Sequence, residues 1–234
     1  MTRPEQLGIA LWWAVCLSLA VPALLIGLSP NWGVVPLDLA VSQWPDWTQS
    51  FVLRPDQLDP QPIASWWATA WLHGSLPHLW RNVAGTGLLA LLGWLMRPAP
   101  SAALAWGLAW PLTHVGMLLE PSLSSYVGLS GVLHAGLVCL ALPPAMTLWR
   151  RRPADRTAPK RRDAWVGLAL LVALAWKIPL ENPWAHGLMA SASSAINVAP
   201  WAHFSGCMAG ALATMSVALL CRRPDLTPTH DTHR

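Results

Sequence analysis

Charge is what this chain has least of. Only 11% of its 234 residues are charged, whereas a soluble domain carries about 25% because its surface has to face water. With 54% hydrophobic residues, and the charges confined to short stretches between long apolar runs, most of the surface is expected to meet lipid. Phe and Tyr are nearly missing too, at two and one residues against 17 Trp. Trp suits the headgroup zone, where its ring and its single N–H are both satisfied. The four cysteines, Cys16, Cys139, Cys207 and Cys221, have no metal-ligand spacing and avoid the loop positions a disulfide framework would use. They read as small packing residues. No three histidines have a zinc spacing, which argues against a metalloprotease, and neither a metal nor another cofactor is expected. A small transporter or channel would favour charges near the middle of the apolar runs or paired, broken halves. The runs hold almost no such charges, and no internal repeat is found. The net charge of +4 is better explained by topology than by a nucleic-acid partner, and none is expected.

A spanning helix needs about 20 mostly apolar residues. Six runs qualify: 7–28, 78–96, 99–119, 130–148, 164–180 and 197–221. The first exceeds the about 7–15 residues of a signal-peptide core and is read as an uncleaved helix. Six spans put both termini on one side. With that side inside, the inner segments hold 12 of the 15 Lys and Arg, leaving Arg54, Arg81 and Lys177 outside or near the outer face. The outer loop 30–62 instead carries Asp38, Asp46, Asp56 and Asp59. The positive-inside rule then predicts N-in, C-in, in a multi-pass protein of a bacterial inner membrane. Segment 63–77, with Trp66, Trp67 and Trp71, reads as an interfacial stretch leading into the second span. Segment 150–163 reads as a basic cytoplasmic linker, and Lys177 as a snorkelling side chain. Residues 1–223 are expected to form one all-α, six-helix membrane domain, followed by a polar, disordered cytoplasmic tail over 224–234.

Polar groups inside a membrane are costly, so each is a functional candidate. His78, Asn82, Ser130 and His203 all fall near the outer ends of the second, fourth and sixth spans. Ser130 lies in Gly128-Leu129-Ser130-Gly131, where a tight turn can expose the hydroxyl at a helix start whose unpaired N–H groups favour negative charge. The same residues could merely cap a closely packed helix. His203 precedes Gly206 and Gly210, a spacing that makes a groove for close helix contact. Against the small residues Gly131, Ala135 and Gly136 of the fourth span, that groove would bring His203 level with Ser130 as a general base. His78 and Asn82, four apart, share a helix face and offer donors for an oxyanion hole. His73 reads as part of a polar network tying the outer loop to the bundle, and His114 as a packing or hydrogen-bonding residue. His186 falls in the last outer loop, and His230 and His233 in the tail.

Taken together and in this order, these elements resemble the rhomboid intramembrane serine proteases, over about residues 63–221. That family has a six-helix core, a Gly-x-Ser-Gly serine opening the fourth helix, a histidine before Gly-x-x-x-Gly in the sixth, and His-x-x-x-Asn on the second. The stretch Gly128-Leu129-Ser130-Gly131-Val132-Leu133-His134-Ala135 is further similar to the rhombosortase branch, with Ala135 where that branch has glycine. His134 stands where other members have tyrosine, and would stack beside His203. The Trp-Arg pair common in the first outer loop of rhomboids is absent, since Ala68 follows Trp66-Trp67. The resemblance implies a serine endopeptidase acting near the outer face on membrane-anchored proteins, with Ser130 as nucleophile, His203 as base, and His78 and Asn82 at the oxyanion. The branch implies trimming of C-terminal Gly-Gly-type anchors. With no aspartate placed to orient His203, a Ser-His dyad is expected. The competing reading is an inactive rhomboid-like protein that binds transmembrane clients.

Overall fold

The computed structural model describes residues 1–30, 33–37, 39–57, 60–149, 161–185, 187–189 and 197–221. Asp38, Asp59, His186, most of the 150–163 linker and the tail with His230 and His233 lie outside the described residues. The elements are helices α1 (Arg3–Gly27), α2 (Asp46–Gln49), α3 (Ser65–Ala68), α4 (Leu76–Met96), α5 (Pro100–Met117), α6 (Ser130–Met146), α7 (Arg161–Glu181) and α8 (Pro200–Leu220). Among the described residues there is no strand, only the isolated bridges Leu53–Tyr126 and Met189–Val198. Each of the six apolar runs forms a helix. Of these, α1, α7 and α8 are long and apolar enough to cross a membrane, and α6 is a shorter apolar helix.

Local chemistry sets where the helices begin. Thr2 and Glu5 close a reciprocal capping box at the start of α1, satisfying two backbone donors the helix cannot satisfy itself. Ser75 caps α4 by accepting from the His78 N–H at 3.3 Å, and Pro77 sits in the first turn, where its missing N–H costs nothing. The left-handed Arg97, at φ 50°, ends α4.

α1 packs on α4 and α5, and α8 fills the space between α5 and α6, with α7 on the far side of α6. Close approach depends on small residues. A Cβ at Gly206 would overlap the Gly131 carbonyl oxygen, one at Gly131 would lie 2.7 Å from the Ala202 oxygen, and one at Gly210 would lie 2.6 Å from the Ala135 oxygen. The predicted groove is therefore the α6–α8 contact. Ser205 adds a hydrogen bond from Oγ to the Thr113 oxygen of α5 at 2.7 Å.

Tryptophan divides between surface and core, with Trp80, Trp94, Trp165 and Trp176 among the exposed side chains. Trp12 and Trp106 are fully buried at the centre, with ring centroids 4.5 Å apart. Their indole N–H groups donate to the Leu89 and Val132 carbonyls, at 2.9 and 2.8 Å. Such interhelix bonds contribute about 1 kcal/mol each. The four cysteines are free thiols, with Cys16 and Cys139 buried.

Segment 63–77 is docked on the bundle. It forms α3 and a 3-10 turn, Thr69–Trp71, with Ser65, Ala68, Thr69 and Ala70 buried. Trp71 donates to the Ser18 oxygen at 3.0 Å, and Trp110 donates to the Trp67 oxygen at 3.1 Å. The buried His114 donates from Nδ1 to the Trp66 oxygen at 2.6 Å. These bonds hold the segment over the end of the bundle where α6 and α8 begin.

Candidate functional site

The starts of α4, α6 and α8 and the end of α7 converge on one place. The approach to α6 is a loop pinned by two backbone bonds, Tyr126 N–H to the Leu53 oxygen at 2.8 Å and Gly128 N–H to the Thr69 oxygen at 3.0 Å. Gly128 then takes φ 129°, a conformation other residues rarely adopt. A Cβ there would also sit 3.0 Å from Cε1 of His78. The turn delivers Ser130 as the first residue of α6, half-buried. Backbone N–H groups of that first turn have no intrahelical acceptor and carry the positive end of the helix dipole.

His203 comes from the first turn of α8 and is buried. Its Nε2 lies 3.0 Å from Ser130 Oγ. On its other side, Nδ1 lies 2.7 Å from Oε2 of Glu181, the last residue of α7. An ionised carboxylate only accepts, so Nδ1 carries the hydrogen and Nε2 turns its lone pair to the serine hydroxyl. This is the tautomer a general base requires. His134, one turn into α6, stacks on the His203 ring with centroids 4.1 Å apart and planes 18° apart. Its own Nδ1–H donates to the Ser130 carbonyl at 2.7 Å.

Lys177, one turn before Glu181, ion-pairs with Glu181 Oε1. Its Nζ is also 3.4 Å from His203 Nδ1. Both groups are donors, so this is a close approach and not a hydrogen bond. The lysine thus has a carboxylate partner while its side chain stays partly exposed.

On the α4 side, His78 lies against Gly128 and meets His73 edge-on, with centroids 5.1 Å apart. Burial, with help from the neighbouring His78, pushes the His73 imidazole down to about 3. The ring is therefore neutral. His73 Nδ1–H donates to the Trp71 oxygen at 3.2 Å, and Nε2 accepts from Asn82 Nδ2 at 3.0 Å. The pair fixes which end of the Asn82 amide is nitrogen.

The structure thus gathers Ser130, His203, His134, His78, Gly128, Gly131 and Gly206 at one end of the bundle. Asn82 is one helical turn beyond His78 and engages His73, with no hydrogen bond to Ser130 or His203. Gly210 belongs to the α6–α8 contact one turn further along.

One expectation needs correction. A dyad was expected because no aspartate is placed to orient His203, yet Glu181 sits on His203 Nδ1. The partner is not an aspartate but a glutamate 22 positions upstream on another helix. A local signal did exist, in the i,i+4 pair of Lys177 and Glu181 at the end of an apolar run.

Comparison of the chain with protein-family models and with curated proteins gives no match.

Proposed function

We propose that the chain is an intramembrane serine endopeptidase of rhomboid type. The observation that carries this reading is the Ser130 hydroxyl at 3.0 Å from His203 Nε2, placed at a helix N-terminus. In this reading α1 and α4 to α8 all cross the bilayer, N-in and C-in. The 17 residues of α6 are at the short end of the about 17–25 that a span requires.

Ser130 Oγ attacks a substrate carbonyl while His203 Nε2 takes its proton. The tetrahedral oxyanion is held by N–H groups of the α6 first turn, by His78 and by Asn82. Collapse expels the amine, which receives the proton from His203, and leaves an acyl-enzyme. Water, deprotonated by the same nitrogen, then releases the acid. The substrates are membrane-anchored proteins cleaved near the outer, periplasmic face of a bacterial inner membrane. By the resemblance of the serine motif to rhombosortases, they are proteins with C-terminal Gly-Gly-type anchors.

The test is labelling of the detergent-solubilised protein with a fluorophosphonate. Ser130 Oγ bonds to phosphorus, fluoride leaves, and the hydroxyl proton passes to His203. We expect the label on the peptide containing Ser130 and none on Ser130→Ala. An unlabelled wild type, beside a rhomboid control that does label, would overturn the protease reading in favour of client binding without cleavage.

A second outcome concerns the oxyanion. Asn82→Ala is expected to lower turnover of a validated substrate by about 10²–10³-fold, the typical cost of one oxyanion donor. Unchanged hydrolysis would leave Asn82 as the anchor of His73 alone.

A further inference from the structure

We infer that Glu181 is the positioning residue of His203, so that the reactive group is a three-residue chain, Ser130–His203–Glu181. This inference rests on the protease reading of Ser130 and His203. The geometry is that of a relay of acceptors: Ser130 Oγ to Nε2 at 3.0 Å, then Nδ1 to Glu181 Oε2 at 2.7 Å.

The carboxylate is hard to explain as a stabiliser of its own helix. Glu181 ends α7, where the helix dipole presents partial negative charge and disfavours an acid. Its pairing with Lys177 runs in the weaker order, lysine N-terminal to glutamate. The Lys177 side chain is also 43% exposed, and ion pairs that open to solvent contribute little. What the carboxylate does have is a charge-assisted bond to an imidazole whose side chain is only 7% exposed.

The two contacts on His203 do different jobs. Stacking on His134 sets the plane of the ring but does not distinguish its two nitrogens. Only the acceptor on Nδ1 selects the tautomer with a lone pair on Nε2, and it stabilises the imidazolium that forms when Ser130 loses its proton.

The experiment measures fluorophosphonate inactivation of the full chain, separating probe affinity from the maximal inactivation rate, for wild type, Glu181→Gln, Glu181→Asp and Lys177→Met. Glu181→Gln keeps the shape of the side chain but can donate to Nδ1 and favour the wrong tautomer. It is expected to lower the maximal rate by at least about 10²-fold, toward the ~10⁴ for the same change in soluble triads, with probe affinity unchanged. Glu181→Asp keeps the charge and should recover part of the loss, which also controls for misfolding of the amide variant. Lys177→Met should stay within about fivefold of wild type. Wild-type rates in Glu181→Gln would overturn the inference while leaving the serine reading intact. So would equal losses in Glu181→Gln and Lys177→Met, which would assign Glu181 to the ion pair. An unlabelled wild type would overturn the serine reading first, and this inference with it.

Discussion

His203→Ala is expected to slow acylation of Ser130 by about 10⁶-fold, the cost of losing the histidine base of a soluble serine protease. The serine hydroxyl loses its proton acceptor, Nε2 at 3.0 Å. A residual rate should survive, because the N–H groups of the α6 first turn remain to hold the oxyanion. The readout is the inactivation rate with a fluorophosphonate, alongside a thermal unfolding midpoint in detergent to show that the bundle persists. A variant that folds and still labels at the wild-type rate would remove His203 as the base. His134 would not replace it simply, since its Nδ1–H is held by the Ser130 carbonyl.

Gly206→Ala should disable the site without touching a reactive atom. The new Cβ would overlap the carbonyl oxygen of Gly131, the residue that follows Ser130. Both sides of that contact are backbone, so no side chain can swing away and α6 and α8 must separate. Overpacking of this kind costs about 1–3 kcal/mol. A shift of about 1 Å between Ser130 and His203 is enough to lower acylation by about 10²-fold. Gly107→Ala is the matched control, because a Cβ there meets nothing within 4 Å. Its unfolding midpoint and labelling should match wild type. Wild-type behaviour of Gly206→Ala would mean that α6 and α8 do not touch at Gly131.

The helices were legible because lipid-facing surface leaves a signal that needs no partner: about 20 apolar residues with few charges. The candidate site was legible for a related reason. Ser130, His203, His78 and Asn82 are polar residues in a context that resists them, and the Gly206 and Gly210 spacing marks one face of α8 by helical periodicity alone. Tryptophan shows the limit of such reasoning. Composition placed the indoles at an interface, and several are exposed, but it does not single out Trp12 and Trp106, which are buried where two carbonyls, on α4 and α6, accept their N–H groups. Whether an N–H finds its acceptor in headgroups or in a neighbouring helix depends on which helices adjoin.

By itself, then, the sequence determined the helical class, the six helical segments, and the reactive residue types near the starts of α4, α6 and α8. These follow from hydropathy and from the 3.6-residue period, both properties of a single segment. Only the tertiary structure decided what each polar group faces: His73 on Asn82, His134 on His203, the Ser130 hydroxyl on Nε2, and Glu181 on Nδ1. A hydrogen bond of about 3 Å between residues 22 or 73 positions apart depends on how helices pack and cross. That is set by the close approach of α6 and α8 at Gly131 and Gly206.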